Sequence, residues 1–373
     1  MVTEFTLNSE LIYLNHAAVA PWPRRAAVAV KAFAEENARY GALHYPAWLA
    51  TEAELRERLR ALINAPSAAD IALLKNTSEG LSLVAYGLDW QVGDNLIITD
   101  QEFPSNRLVW ESLQPLGVQV RKAALSDHAT PETAIMKLAD PRTRLISVSA
   151  VQYASGLRMD LETLGEFCAE GDILFCVDAI QMLGALPFDA QAVRADFVVA
   201  DGHKWMLGPE GLALFYCRPE RREALRLTQY GWHMVEDWGN YEAQTWAPAR
   251  SARRFECGSP NMLGVHALAA SLSLLQEVGI TTVARQILAN TAHLIRRITT
   301  HPDLDLITPV EPTRHAGIVS FRHRQADNKV LWQSLKEQGV ICAYRSGGIR
   351  FSPHYYNTFE QLDRAMDWVA QLT

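Results

Sequence analysis

Two residues in "ILFCVDAIQMLGALPFDAQAVRADFVVADGHKW" carry chemistry that their surroundings do not invite. Asp178 closes an apolar run over residues 173–177, where a lone charge is costly. Lys204 follows a second run over residues 197–200 and sits between His203 and Trp205, ahead of the turn "LGPEG". A lysine in apolar surroundings has a lowered pKa and can act as an amine nucleophile, whereas most lysines are surface groups. A buried carboxylate needs a partner, and for Asp178 alone a structural ion pair or helix cap competes evenly with a ligand role. Together they match what pyridoxal-phosphate chemistry requires: a lysine for the cofactor's aldehyde and an acid for its ring nitrogen, which keeps the ring an electron sink.

That chemistry also needs a phosphate site. "KNTSEG" places Thr77 and Ser78 at the opening of a helix that follows an apolar strand. Free N–H groups and hydroxyls at such a terminus hold phosphate, although a plain N-cap is the commoner use of the pattern. The glycine fingerprints of dinucleotide sites and P-loops are absent.

These residues need a scaffold. Strands are expected over residues 71–74, 96–99, 118–121, 145–151, 173–177, 197–200 and 212–216. Helical patterns lie between them, over 79–87, 107–116, 131–138 and 160–170. Continuous apolar strands alternating with helices predict a mostly parallel sheet covered on both faces. Ligands bind beyond the carboxyl ends of such strands, where "NTSEG", Asp178 and Lys204 all fall. A helix-rich stretch over 265–300, strands near 317–321 and 348–352, and a helix from Thr358 predict a smaller α+β unit. The division expected is a large domain over 16–262 and a small one over 263–373 joined by the segment 1–15.

Length and composition bound the function. With 373 residues, two subdomains are expected. A net charge of -7 without a Lys/Arg cluster argues against a nucleic-acid partner. No apolar stretch reaches the roughly 18 residues of a membrane span, and the first residues lack the basic and apolar regions of a signal peptide. Of the five cysteines none forms a CxxC pair, so free thiols in a cytoplasmic protein are expected, with no metal site.

The spacing of "VDAIQ" and "DGHKW" resembles the class V aminotransferase family of fold type I pyridoxal-phosphate enzymes, which includes cysteine desulfurases, selenocysteine lyases and isopenicillin N epimerase-like proteins. "YLNHAAVAP", "NTSEG", "RFECGSPN" and "IRFSPHYYNT" resemble further family segments in family order. The resemblance implies that Lys204 carries the cofactor covalently, Asp178 binds its ring nitrogen and Gln181 its ring oxygen. It implies that Thr77, Ser78 and His203 hold the phosphate, with Ser259 reaching in from the other subunit of a homodimer. Phe103 takes the ring-stacking position, where desulfurases have histidine. Arg350 matches the arginine for the carboxylate of a small amino-acid substrate, and Arg345 and His16 are placed beside it. Desulfurases carry their persulfide cysteine on a loop for which residues 345–350 leave no room, and Asp201 replaces a phosphate-donating serine, so it is expected to point away. An elimination or epimerisation at Cα or Cβ is expected ahead of transamination and of desulfurase chemistry. A binding protein that has lost its chemistry is the non-enzymatic rival.

Overall fold

Apolar runs of both halves pair as expected into an α/β architecture. In the computed structural model, which describes residues 4–126 and 129–372, the chain opens with β1 (Ile12–Tyr13), α1 (Arg24–Tyr40) and α2 (Tyr45–Leu62). It continues through β2 (Ile71–Leu74), α3 (Thr77–Gly87), β3 (Asn95–Thr99), α4 (Ser105–Glu111), β4 (Gln119–Ala123), α5 (Pro131–Met136) and β5 (Thr143–Ser149). Then come α6 (Leu161–Glu170), β6 (Leu174–Asp178), β7 (Phe197–Asp201), β8 (Ala213–Cys217), α7 (Met262–Val278) and α8 (Ile280–Thr299). The chain closes with β9 (Leu304–Leu306), β10 (Val319–His323), α9 (Asn328–Glu337), β11 (Val340–Ile341), β12 (Ala343–Arg345), β13 (Gly348–Phe351) and α10 (Phe359–Gln371).

The main sheet has the order β2-β8-β7-β6-β5-β3-β4. β8 runs against the direction of the other six strands. Successive strand residues alternate between two apolar cores. Ile97, Val177 and Val198 face one, and Leu96, Cys176 and Val199 face the other. Covering on both faces is why these strands read as unbroken apolar runs. The helix expected over 107–116 stops at Glu111 and gives way to a tighter turn over Gln114–Leu116, because Pro115 has no N–H to continue the ladder.

The C-terminal region builds a four-stranded antiparallel sheet, β12-β13-β10-β9, and β1 pairs in parallel with β11. Leu268 and Leu272 of α7 and Ile287 of α8 pack in a core with the main sheet, whereas Leu294 and Ile298 of α8 pack with Ile12, Phe321 and Phe351. We propose a domain division inside α8 rather than at residue 262. No single described helix is long and apolar enough to cross a membrane.

Candidate active site

The parallel strands deliver their carboxyl ends to one cavity of about 360 Å³. Residues 76–78 follow β2, Phe103 and Ser105 follow β3, and Tyr153 follows β5. Asp178 ends β6, and His203 and Lys204 follow β7. Arg345 and Arg350 enter from the hairpin of β12 and β13.

Asp178 and Lys204 meet because β6 and β7 are adjacent and parallel, with Asp178 in register with Val199. Asp178 is 2% exposed and accepts a hydrogen bond from the Ile180 N–H at 3.1 Å. Burial raises its carboxyl pKa against the pull of that hydrogen bond and of Lys204. Burial likewise lowers the Lys204 ammonium; Asp178 opposes the shift and Arg350 adds to it. The result is a desolvated amine and a carboxyl poised to change charge when a cation arrives. Lys204 Nζ lies 5.6 Å from the centre of the Phe103 ring, which meets Tyr153 edge-on at 5.1 Å. Behind Phe103, buried Glu102 accepts from Thr99 Oγ1, the Ser149 N–H and Gln152 Nε2 on one oxygen, and from Asn106 Nδ2 and Ser149 Oγ on the other. This carboxylate clamps the loop that carries the ring.

Gln181 has a fixed orientation. The Trp205 indole, which can only donate, binds Oε1 at 2.9 Å, so Nε2 is the atom that donates to the Ala17 carbonyl at 3.0 Å. The amide keeps a second N–H to offer a ligand. At the start of α3 the Asn76 side chain caps the Glu79 N–H at 2.9 Å, leaving the Thr77 and Ser78 N–H groups in the open first turn. Gly80 brings this turn down on the sheet, since a Cβ there would lie 2.1 Å from Val199 Cγ1. Ser78 Oγ donates to Ser105 Oγ at 2.9 Å.

Two expectations are corrected. His16 does not reach the cavity. It is fully buried, with Nδ1 2.9 Å from the Ser352 carbonyl and Nε2 2.6 Å from the Tyr356 hydroxyl, so it ties the N-terminal segment to the C-terminal unit. Its neighbours Ala17 to Val19 line the cavity instead. Asp201 does not turn away: it lines the cavity with Oδ1 3.0 Å from His203 Nδ1, off the line of a hydrogen bond, and its N–H donates to Thr77 Oγ1 at 3.1 Å. The imidazole lies beside this carboxylate within the site. Ser259 lies in a separate depression beside Lys75 and Glu79, outside the cavity of its own subunit.

Arg350 is 1% exposed, and its Nη1 donates to the Tyr153 carbonyl at 2.7 Å. Its Nε and Nη2 are buried without partners. Burial and the nearby Arg345 push this guanidinium down to about 9. An unsatisfied buried cation of this kind is completed by an anionic ligand. Sequence reasoning missed Tyr153 and Ser105. Ser105 was within reach as the first residue of α4, inside "EFPSN", whereas Tyr153 gives no signal in a loop of otherwise ordinary composition.

A model of the class-V aminotransferase family matches residues 12–365, and the chain belongs to that family. A probable cysteine desulfurase of Methanothermobacter thermautotrophicus is 30% identical over 94% of this chain and 92% of its own length. Two solved structures share the fold. The apo cysteine desulfurase of Thermococcus onnurineus NA1 gives a TM-score of 0.88 at 24% identity, covering 97% of this chain and 94% of the other. A complex of the cystine C–S lyase C-DES with its product cysteine persulfide gives 0.90 at 23% identity, covering 97% and 98%. The protein is a pyridoxal-phosphate enzyme of this family. Its cavity fits the cofactor: a buried carboxyl short of donors and an open helix N-terminus face one space.

Proposed function

We propose that this enzyme acts at Cα or Cβ of an amino acid, as a lyase of the C–S type or an epimerase, ahead of transamination. The observation that carries the reading is the meeting of Lys204, Asp178 and the unsatisfied Arg350 in one cavity. Bound there, pyridoxal phosphate supplies an electron sink for a carbanion at Cα. Lys204 would be its covalent attachment point and then the base that moves protons at Cα, a task suited to a lowered ammonium pKa. Asp178 would hold the ring nitrogen protonated, Gln181 would donate to the ring oxygen, and Phe103 would pack against the ring. Thr77, Ser78 and His203 would hold the phosphate, and Arg350 would orient the substrate carboxylate.

Sulfur, where the substrate carries it, leaves as a small molecule. Cys342 is buried, with its thiol pushed up to about 12, and burial also raises Cys168, Cys176 and Cys217. Cys257 is partly exposed but lies outside the cavity. A persulfide carrier needs an accessible thiolate. β12 and β13 are joined by two residues, which excludes a long cysteine loop between them.

A homodimer belongs to the same reading, with the partner subunit's Ser259 completing the phosphate site. Its segment adjoins a stretch whose Tyr230 and Trp246 are 64% and 60% exposed, aromatic surface suited to a subunit interface. Five unpaired cysteines support a cytoplasmic setting. The decisive experiment incubates the holoenzyme with a panel of amino acids and follows the cofactor spectrum with keto acid, sulfide and enantiomer formation. Elimination products or racemisation are expected. Stoichiometric keto acid with an aminated cofactor and no elimination product makes it a transaminase, and full activity in a monomer by light scattering removes the composite site.

A further inference from the structure

We propose that Asp201 is a positioning residue that acts through His203, holding it as an imidazolium whose second N–H meets the cofactor phosphate. The inference rests on the reading above that His203 holds the phosphate, and it gives a task to the carboxylate beside it.

Asp201 is 6% exposed and lines the cavity. Its Oδ1 and His203 Nδ1 are both buried, both without a hydrogen bond, and 3.0 Å apart. The separation is that of a hydrogen bond and only the angle is unmade. The ring torsion of histidine is broad, so turning the imidazole into line costs little. A buried carboxylate oxygen needs a donor, which places a proton on Nδ1. A neutral ring protonated there offers only a lone pair at Nε2, and a phosphate oxygen is repelled by it. Both contacts are met when the ring carries a proton on each nitrogen, a state that an adjacent carboxylate favours.

The surroundings call for that charge. The Asp201 N–H donates to Thr77 Oγ1 at 3.1 Å, which ties the carboxylate's backbone to the helix start where the phosphate is to sit. Several other titratable groups share the cavity with His203. They are Lys204 on its own segment, Glu210 from the turn before β8, Asp178 from the end of β6, Tyr153 from the loop after β5, and Arg345 and Arg350 from the β12–β13 hairpin. Among the described residues only Asp201 lies within ion-pair distance of His203. Lys204 is committed to the cofactor's aldehyde and Arg350 to the substrate. His203 is then the cation that offsets a phosphate set beside a carboxylate.

The test measures pyridoxal phosphate binding by calorimetry in a Lys204→Ala background, where the cofactor binds without a covalent link. That background also removes an amine whose charge Asp201 supports. Affinities with and without Asp201→Asn are compared at about pH 5.5 and about pH 8.5, either side of the ordinary imidazole value near 6.5. At the higher pH the Asp201→Asn chain should bind about tenfold more weakly, having lost one charge-assisted hydrogen bond. At the lower pH its imidazole is charged without help, and binding should be as tight or tighter, because a carboxylate has left the site. Weakening by the same factor at both pH values makes Asp201 merely structural, and tighter binding at both makes it merely repulsive; either result overturns the proposal. Nitrogen chemical shifts of His203 in the native holoenzyme need no substitution. Both ring nitrogens should stay protonated at about pH 8.5, and a lone-pair nitrogen there also overturns it. In these cases the phosphate reading stands as long as His203→Gln weakens cofactor binding. If His203→Gln leaves binding unchanged, the phosphate does not sit at His203, and that reading fails together with this inference.

Discussion

Arg56 and Arg350 are both arginines drawn out of solvent, and they are treated in opposite ways. Arg56 donates to Glu52 Oε1 at 2.5 Å, to both oxygens of Glu256 at 2.6 and 2.8 Å, and to the Ile71 carbonyl at 2.8 Å. Glu256 also accepts from the Leu73 N–H, and His233 Nδ1 lies 3.6 Å away. Burial works against the Arg56 charge, but the two carboxylates outweigh it and raise its pKa. Glu52, His233 and Glu256 sit close enough to resemble a metal site, yet the guanidinium already occupies the role a cation would take. That cluster is complete, and it pins the segment leading to Ser259 against α2 and β2. Around Arg350, by contrast, Nε and Nη2 are left unanswered and Asp178 has one backbone hydrogen bond. A closed charge cluster supports the fold; an open one leaves groups free for a ligand.

Substitutions should separate the two clusters, beginning with the largest effect. Lys204→Ala should lower turnover by more than about 10³-fold while thermal stability stays level or rises, since a desolvated amine is removed. Borohydride should then trap no covalent cofactor. Trapping at another lysine breaks the assignment. Arg56→Met should act the other way. It strands Glu52 and Glu256 and should cost about 3–5 kcal/mol of stability, read by denaturant unfolding. A loss under 1 kcal/mol would show that this cluster is not a structural tie.

Asp178→Asn should reduce turnover by about 10²-fold with the apo fold intact, and near-native turnover would free the carboxyl from any service to the ring. The same variant sharpens the comparison through pH. The Asp178 carboxyl is held above its ordinary range in the folded apo protein by burial. Folding therefore takes up a proton between the ordinary value near 4 and the raised one, and apo stability falls as pH rises through that interval. Asp178→Asn should flatten this slope, and a slope unchanged by the substitution contradicts the shift.

The strands were legible because covering both faces of a sheet leaves each as an unbroken apolar run, as over residues 71–74 and 197–200. Asp178 and Lys204 were legible for the converse reason: a charge that ends such a run is conspicuous. The tight span between Arg345 and Arg350 was also visible in sequence, since a two-residue turn admits no loop. His16 shows the limit. Its segment was recognised, but residue type does not say whether a ring faces a cavity or a core, and Ser352 and Tyr356, more than 330 residues away, decide it. Only the tertiary structure could make Arg56 the partner of Glu256, 200 residues distant, or bring Tyr153 against Phe103 and Arg350. It also carried α7 into the core of the main sheet, whereas the sequence suggested a break before it. Local sequence determined which segments were strands and which charges were out of place. Long-range packing decided which of those charges found partners inside the protein and which remained for a ligand, because desolvation and pairing depend on groups that the chain brings together only when folded.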